Sequence, residues 1–155
     1  MPKIDLDALE QVNRTGYPPP FNQEVAGRWY RRLAPAGGLT EFGASHVVLK
    51  PGAWSSQSHW HNGEDEFLVM IFGEAVLVED DGRTILHAGD CCAWPKGSTD
   101  GHHLINESDA DCCFVCVSGG TNTGGGYSDI DMIWTTEGGF AHRDGTPYDG
   151  AKPAS

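Results

Sequence analysis

The chain has 155 residues with 22 Asp and Glu against 10 Lys and Arg, a formal charge of −12, so it is long enough for one domain with a buried core and too acidic to be expected on a nucleic-acid backbone. No apolar run approaches the ~20 residues that a membrane span requires. Twenty-one glycines and nine prolines, spread among short apolar runs, argue against a mainly helical chain and describe many turns between short strands.

In chain order, residues 1–26 mix polar residues with Pro18-Pro19-Pro20 and read as an arm laid over a barrel. Predicted strands follow over Arg28–Leu33, Thr40–Leu49, Gln57–His61, Glu66–Phe72, Glu74–Glu79, Thr84–His87, Cys91–Trp94, His102–Asn106 and Cys112–Ser118. Asp80-Asp81-Gly82 and Ala88-Gly89-Asp90 supply turns between hairpin strands. Residues 27–118 are therefore the expected barrel. Gly119–Gly126 reads as a flexible joint, and residues 119–155 as a C-terminal extension packing on the barrel. No internal repeat is present.

The run Arg28-Trp29-Tyr30-Arg31-Arg32 is the one place where basic and aromatic residues interleave. It alternates enough for an early strand, with its charges on a solvent face or protecting a sheet edge. Its other reading is a grip on an anionic substrate or a neighbouring subunit. Five cysteines, an odd number, occur as Cys91-Cys92, Cys112-Cys113 and Cys116. Strand neighbours point to opposite faces, so neither adjacent pair is placed to bridge, and the thiols read as small apolar filler. With no apolar signal region in Met1–Asp5, a reducing cytoplasm is the expected compartment. The single Cys-x2-Cys interval, Cys113 to Cys116, lacks the partner ligands of a zinc cluster.

The chemistry concentrates in His59-Trp60-His61-x4-Glu66-x6-Gly73. In an extended strand alternate side chains share a face roughly 6.5–7 Å apart, so His59 and His61 can converge on one ion. A turn through Asn62 and Gly63 then brings Glu66 in as an inward carboxylate of a new strand. Two imidazoles and a carboxylate suit Mn, Fe, Co, Ni or Zn. The plainer reading is a solvated histidine pair followed by an acidic turn containing Glu64 and Asp65.

A second segment, Gly89-x5-Pro95-x-Gly97-x4-His102-x3-Asn106, offers another histidine at a strand start. Together the two segments resemble the two signature motifs of the cupin superfamily. That resemblance implies an all-β fold, the double-stranded β-helix or jelly-roll barrel. It also implies a metal centre of His59, His61, Glu66 and His102 holding one divalent transition ion such as Zn, Mn, Fe or Ni. The second motif carries two extra residues after Pro-x-Gly, so Asp100, His102 and His103 compete for the fourth place. The interval from His102 to Asn106 matches the family's His-x3-Asn, and alternation puts His102, Leu104 and Asn106 on one face with His103 and Ile105 on the other, which favours His102. Gly38–Gly43, Pro51–Gln57, Gly101–Asn106 and His142–Tyr148 are further similar to a group of small single-domain bacterial cupins. Members of that group are labelled sugar-phosphate isomerases or auxin-binding-like proteins by analogy of fold. The resemblance also implies a homodimer, paired through sheet edges or exchanged terminal strands.

Parity from Glu66 turns Leu68, Met70 and Phe72 inward, and parity from the histidines adds Gln57. The expected pocket for a small-molecule ligand is Gln57, Met70, Leu104 and Asn106, with Ser55 as a further polar group. No Arg or Lys falls at an inward position, which counts against a phosphorylated substrate unless Lys50, Arg83 or Lys96 reaches the mouth. Gln57 does not titrate, so a base would come from His46, His87 or His103, and none is assigned. His142 and its neighbours Arg143 and Asp144 lie in a tail that could close over the mouth. Three functions fit: a metal-dependent isomerase or lyase acting on a small oxygen-bearing substrate, an Fe-dependent dioxygenase using the same ligands, or a non-catalytic binding or sensing barrel.

Overall fold

The computed structural model describes residues 3–137 and 139–149. Twelve strands form: β1 (Arg28–Arg32), β2 (Phe42–Leu49), β3 (His59–His61), β4 (Glu64–Phe72), β5 (Glu74–Glu79), β6 (Gly82–His87), β7 (Cys91–Trp94), β8 (His102–Ile105), β9 (Cys112–Gly120), β10 (Gly125–Tyr127), β11 (Ile133–Trp134) and β12 (Phe140–Ala141). They build two antiparallel sheets, one of order β1-β2-β9-β4-β7 and one of order β12-β11-β10-β3-β8-β5-β6, in the jelly-roll arrangement. Among the described residues helix is confined to a 3₁₀ turn at Leu6–Ala8 and one α-turn at Leu33–Ala36. Among the described residues no helix is long and apolar enough to cross a membrane.

The inward faces supply the core. Val47 and Leu49 of β2, Leu68 and Met70 of β4, Leu77 of β5, Leu104 of β8 and Phe114 of β9 pack between the sheets, all buried. Along β2 and β4 these buried side chains are two residues apart, as the period of a half-buried strand demands. The alternation breaks once. Register shifts between Met70 and Phe72 where β4 runs along β9, so Ile71 is the extra residue of a bulge and Phe72 turns outward, 46% exposed. The inward placement expected for Phe72 is thereby corrected. Gly73, the last residue of the histidine motif, then turns at φ +76°, with backbone of Asp111 and Cys112 where a side chain would stand.

The arm crosses the edge of the first sheet. Val12 exchanges both backbone hydrogen bonds with Tyr30, at 3.0 and 2.8 Å, which covers part of the free edge of β1. Gly119–Gly126 is only partly a joint. Its last two residues open β10, which pairs with β3, Gly125 opposite His61 and Gly126 opposite Trp60. A β-carbon on Gly126 would lie 2.3 Å from the Trp60 ring, and one on Gly125 would lie 2.1 Å from that of Trp134. These glycines permit close packing on the histidine strand. Around them Tyr127, Met132 and Phe140 form a second apolar cluster, onto which Tyr17 and Phe21 of the arm also pack.

Candidate metal centre

The site lies between the sheets. β3 carries His59 and His61 on one face, and β8 brings His102 directly opposite His59. β4, in the facing sheet, supplies Glu66. Glu66 Oε2 stands 2.9 Å from His102 Nε2, 3.2 Å from His61 Nε2 and 3.9 Å from His59 Nε2, while the Nε2 atoms of His59 and His61 are 3.2 Å apart. Ligands about 2.0–2.2 Å from a common ion lie about 3.0–3.4 Å from one another. The His59–His61 and His61–Glu66 separations have that spacing, His102 lies close to the same Glu66 oxygen, and His59, His61 and Glu66 are a group able to hold a metal ion.

The surroundings orient each donor. His59 Nδ1 lies 3.0 Å from the Gln57 carbonyl, and donation there leaves the Nε2 lone pair directed into the site. Burial, opposed by Glu66 and reinforced by the other two imidazoles, depresses its pKa to about 3, so His59 is neutral near pH 7. His61 is instead raised, because hydrogen bonding and charge from Glu66 and Glu64 outweigh its burial. Burial would push the Glu66 carboxyl up, yet the bonds from His102 and His61 and the nearby imidazole charges hold it well below the usual range. Its second oxygen, Oε1, accepts from the Cys116 thiol at 3.0 Å. His102 is clamped from behind: the Trp94 ring stacks on it at 4.0 Å with planes 5° apart, and Trp94 Nε1 donates to Glu79 Oε1 at 2.9 Å. The Trp134 ring flanks His61 and His59, at centroid distances of 5.1 and 5.8 Å.

These donors form one wall of a cavity of about 580 Å³. Of the residues expected in its lining, Leu104 and Ser55 are there, and Ser55 Oγ also accepts from Leu104 N. Gln57, Met70 and Asn106 are not. Gln57 precedes β3, where strand alternation has not begun, and its amide donates to the Phe21 carbonyl and Glu24 of the arm. Met70 lies deeper in the core, 1% exposed. Asn106 follows the end of β8; it is fully buried and ties together the Leu49 carbonyl, the Ala110 carbonyl and Ser108.

The expectation of a pocket without Arg or Lys is overturned. Alternation along β1 turns Arg28, Tyr30 and Arg32 towards the cavity, and the arm adds Arg14. Lys50 and Arg83 are instead held by Asp111 and Glu107. His103 follows His102 on β8, packs on Trp54 with ring centroids 4.7 Å apart, and is also among the residues lining the cavity. His46 bonds Cys113, His87 is exposed beside Glu74, and His142 pairs with Asp131. Trp94, Cys116 and Trp134 escape the sequence reading. The inward parity of Phe114, Cys116 and Ser118 was the signal available for Cys116.

The family described as a Cupin domain matches residues 45–118. Among curated proteins none matches the chain. A crystal structure of a cupin-superfamily sugar phosphate isomerase from Silicibacter pomeroyi is similar at 39% identity, with TM-score 0.90, over 98% of this chain and 99% of that one. A cupin 2 conserved barrel domain protein from Salinispora arenicola is similar at 27% identity and TM-score 0.54, over 75% of this chain and 84% of the other. The polyketide cyclase RemF from Streptomyces resistomycificus shares the fold at 17% identity and TM-score 0.65, over 84% and 87% of the two chains. Fold, paired motifs and a relative matched along its whole length agree: this chain belongs to the cupin superfamily.

Proposed function

We propose that the chain is a metal-dependent enzyme of isomerase or lyase type acting on a small oxygen-bearing molecule. The observation that carries this reading is the cluster of donor atoms from His59, His61 and Glu66, with His102 Nε2 2.9 Å from the same Glu66 oxygen, on the wall of a cavity. The donor set, three borderline nitrogens and one anionic oxygen, suits Zn, Mn, Fe or Ni. A bound divalent ion supplies a Lewis acid to a carbonyl or hydroxyl oxygen of the substrate.

The chain's own residues set the conditions for that chemistry. Leu68, Leu104 and Phe114 give the cavity an apolar wall beside its polar groups, which strengthens the polar contacts that lie against it. Tyr30 holds a hydroxyl proton in the same cavity, donated at 3.2 Å to the Arg14 carbonyl. The relative from Silicibacter pomeroyi, named a sugar phosphate isomerase, supports the isomerase side of the reading.

Elemental analysis of protein purified without chelator, followed by NMR assays for solvent deuterium exchange into hydroxy-carbonyl compounds, tests the proposal. Near one metal per chain and metal-dependent exchange are expected. Full metal content in both His59→Ala and His102→Ala would sink the assigned centre. Oxygen uptake by the iron form, with no exchange, would replace isomerisation by oxygenation.

A further inference from the structure

The cavity reverses the charge balance of the chain. Overall, acids outnumber bases 22 to 10. In the cavity lining the order is inverted, because Arg14, Arg28 and Arg32 are present and Glu66 is the sole carboxylate among the described residues. Glu66 is already engaged by three imidazoles and a thiol, so it does not neutralise the arginines.

Each arginine reaches the cavity by a different route. Arg28 is fixed by Nη1 donating to the Ser55 carbonyl at 2.8 Å and Nη2 to the Arg14 carbonyl at 3.4 Å, and its Nε is buried with no partner among the described residues. Arg32, four residues along the same strand face, joins none of the ion pairs among the described residues, which engage Arg14 with Glu10, Lys50 with Asp111 and Arg83 with Glu107. Arg14 arrives with the arm, positioned by the Val12 bridge to Tyr30 and by its own carbonyl, which accepts from both Tyr30 and Arg28. Arg28 and Arg32, on one strand face with no carboxylate partner among the described residues, are poorly compensated until an oxyanion meets them, and the exposed 3.6 Å pair of Arg14 with Glu10 is weak enough to exchange for one.

We infer that Arg28, Arg32 and Arg14 form an anion-binding subsite across the cavity from the metal donors, built jointly by β1 and the N-terminal arm, which takes a phosphoryl or carboxylate group of the substrate. This rests on the metal-enzyme reading above for what the other end of the substrate does. It makes the arm part of the substrate site, and it gives the substrate two ends, an oxyanion held by planar N–H forks and an oxygen function held near the imidazoles.

Isothermal titration of the full chain, stripped of metal by chelator, with inorganic phosphate and separately with malonate, tests the subsite without requiring turnover. Saturable binding that weakens with added NaCl is expected, and the tighter of the two ligands identifies the oxyanion. Arg32→Gln is expected to weaken it about tenfold or more, and Arg14→Gln by less, with unchanged melting temperature in both. Binding of neither ligand, or equal binding by wild type and Arg32→Gln, overturns the inference. So does binding lost in His59→Ala but kept in Arg32→Gln, which would seat the anion on the imidazoles. Metal-dependent turnover with a KM unaffected by Arg32→Gln removes the subsite alone. Arginine-dependent phosphate binding with no metal-dependent turnover removes the enzyme reading and leaves the subsite standing.

Discussion

Cys116 donates its thiol proton to Glu66 Oε1 across 3.0 Å, from a position diagonal to Glu66 on the adjoining strand, where Ser118 is the direct partner. The carboxylate is thereby divided, with one oxygen for the thiol and one for the imidazoles. Removing the donor in Cys116→Ala frees Glu66 to rotate, and apparent affinity for Co(II) is expected to fall about 10- to 100-fold. Cys116→Ser, which keeps a donor, should lose far less. Equal affinity and the same visible spectrum for Cys116→Ala and wild type would show that the thiol does not position the ligand.

The two adjacent histidines of β8 should behave oppositely. His102→Ala removes a donor 2.9 Å from Glu66 and is expected to abolish stoichiometric metal. His103→Ala removes a ring packed against Trp54 and should keep the metal while losing stability, by about 1–3 kcal/mol for a buried aromatic deletion whose neighbours partly relax. Metal content and thermal melts of the two variants, measured together, check the assignment.

Burial pushes the thiols of Cys112 and Cys113 up to about 11. Because the folded values lie above the unfolded value of about 8.5, the stabilisation is complete below that pH and drains away as pH rises through about 11. Melting temperature should therefore decline steeply between pH 9 and 11, and less steeply in a Cys112→Ala/Cys113→Ala double variant. At pH 8 iodoacetamide should label exposed Cys91 first and leave Cys112 and Cys113 untouched until unfolding.

Gly126→Ala places a methyl group 2.3 Å from the Trp60 ring, so β10 must lift from β3 or Trp60 must move. A loss of about 1–3 kcal/mol is expected from such overpacking, with weaker metal retention because β3 carries two donors. Gly82→Ala, which meets nothing within 4 Å, serves as the control and should change stability by under about 0.5 kcal/mol. Equal denaturation midpoints for the two variants would contradict the close packing.

Alternation along a strand is local, and where a strand is unbroken it was readable: it puts His59 with His61, Glu66 with Leu68, and His102 with Leu104 on inward faces. It fails where the ladder stops. Gln57 lies before β3, Asn106 after β8, and Phe72 beyond a bulge, and each departs from the face that counting assigned. The arginines were invisible for another reason. Whether the inward face of β1 looks into a cavity depends on its pairing with β2, residue 30 opposite 47, and on an arm that returns to Tyr30, neither of which a local pattern encodes. The glycine-rich stretch before β10 misleads in the same way, since absence of side chains signals flexibility in isolation and close contact against Trp60 and Trp134.

The indoles that brace the imidazoles also make the chain its own optical reporter. Of five tryptophans, Trp94 touches His102 face to face and Trp134 flanks His59 and His61. An ion with an open d shell, seated among those rings, would quench their emission by energy transfer, whereas closed-shell zinc has no d–d transition to receive it. Intrinsic fluorescence alone can then follow loading of the site and separate zinc from the other metals that its donors accept.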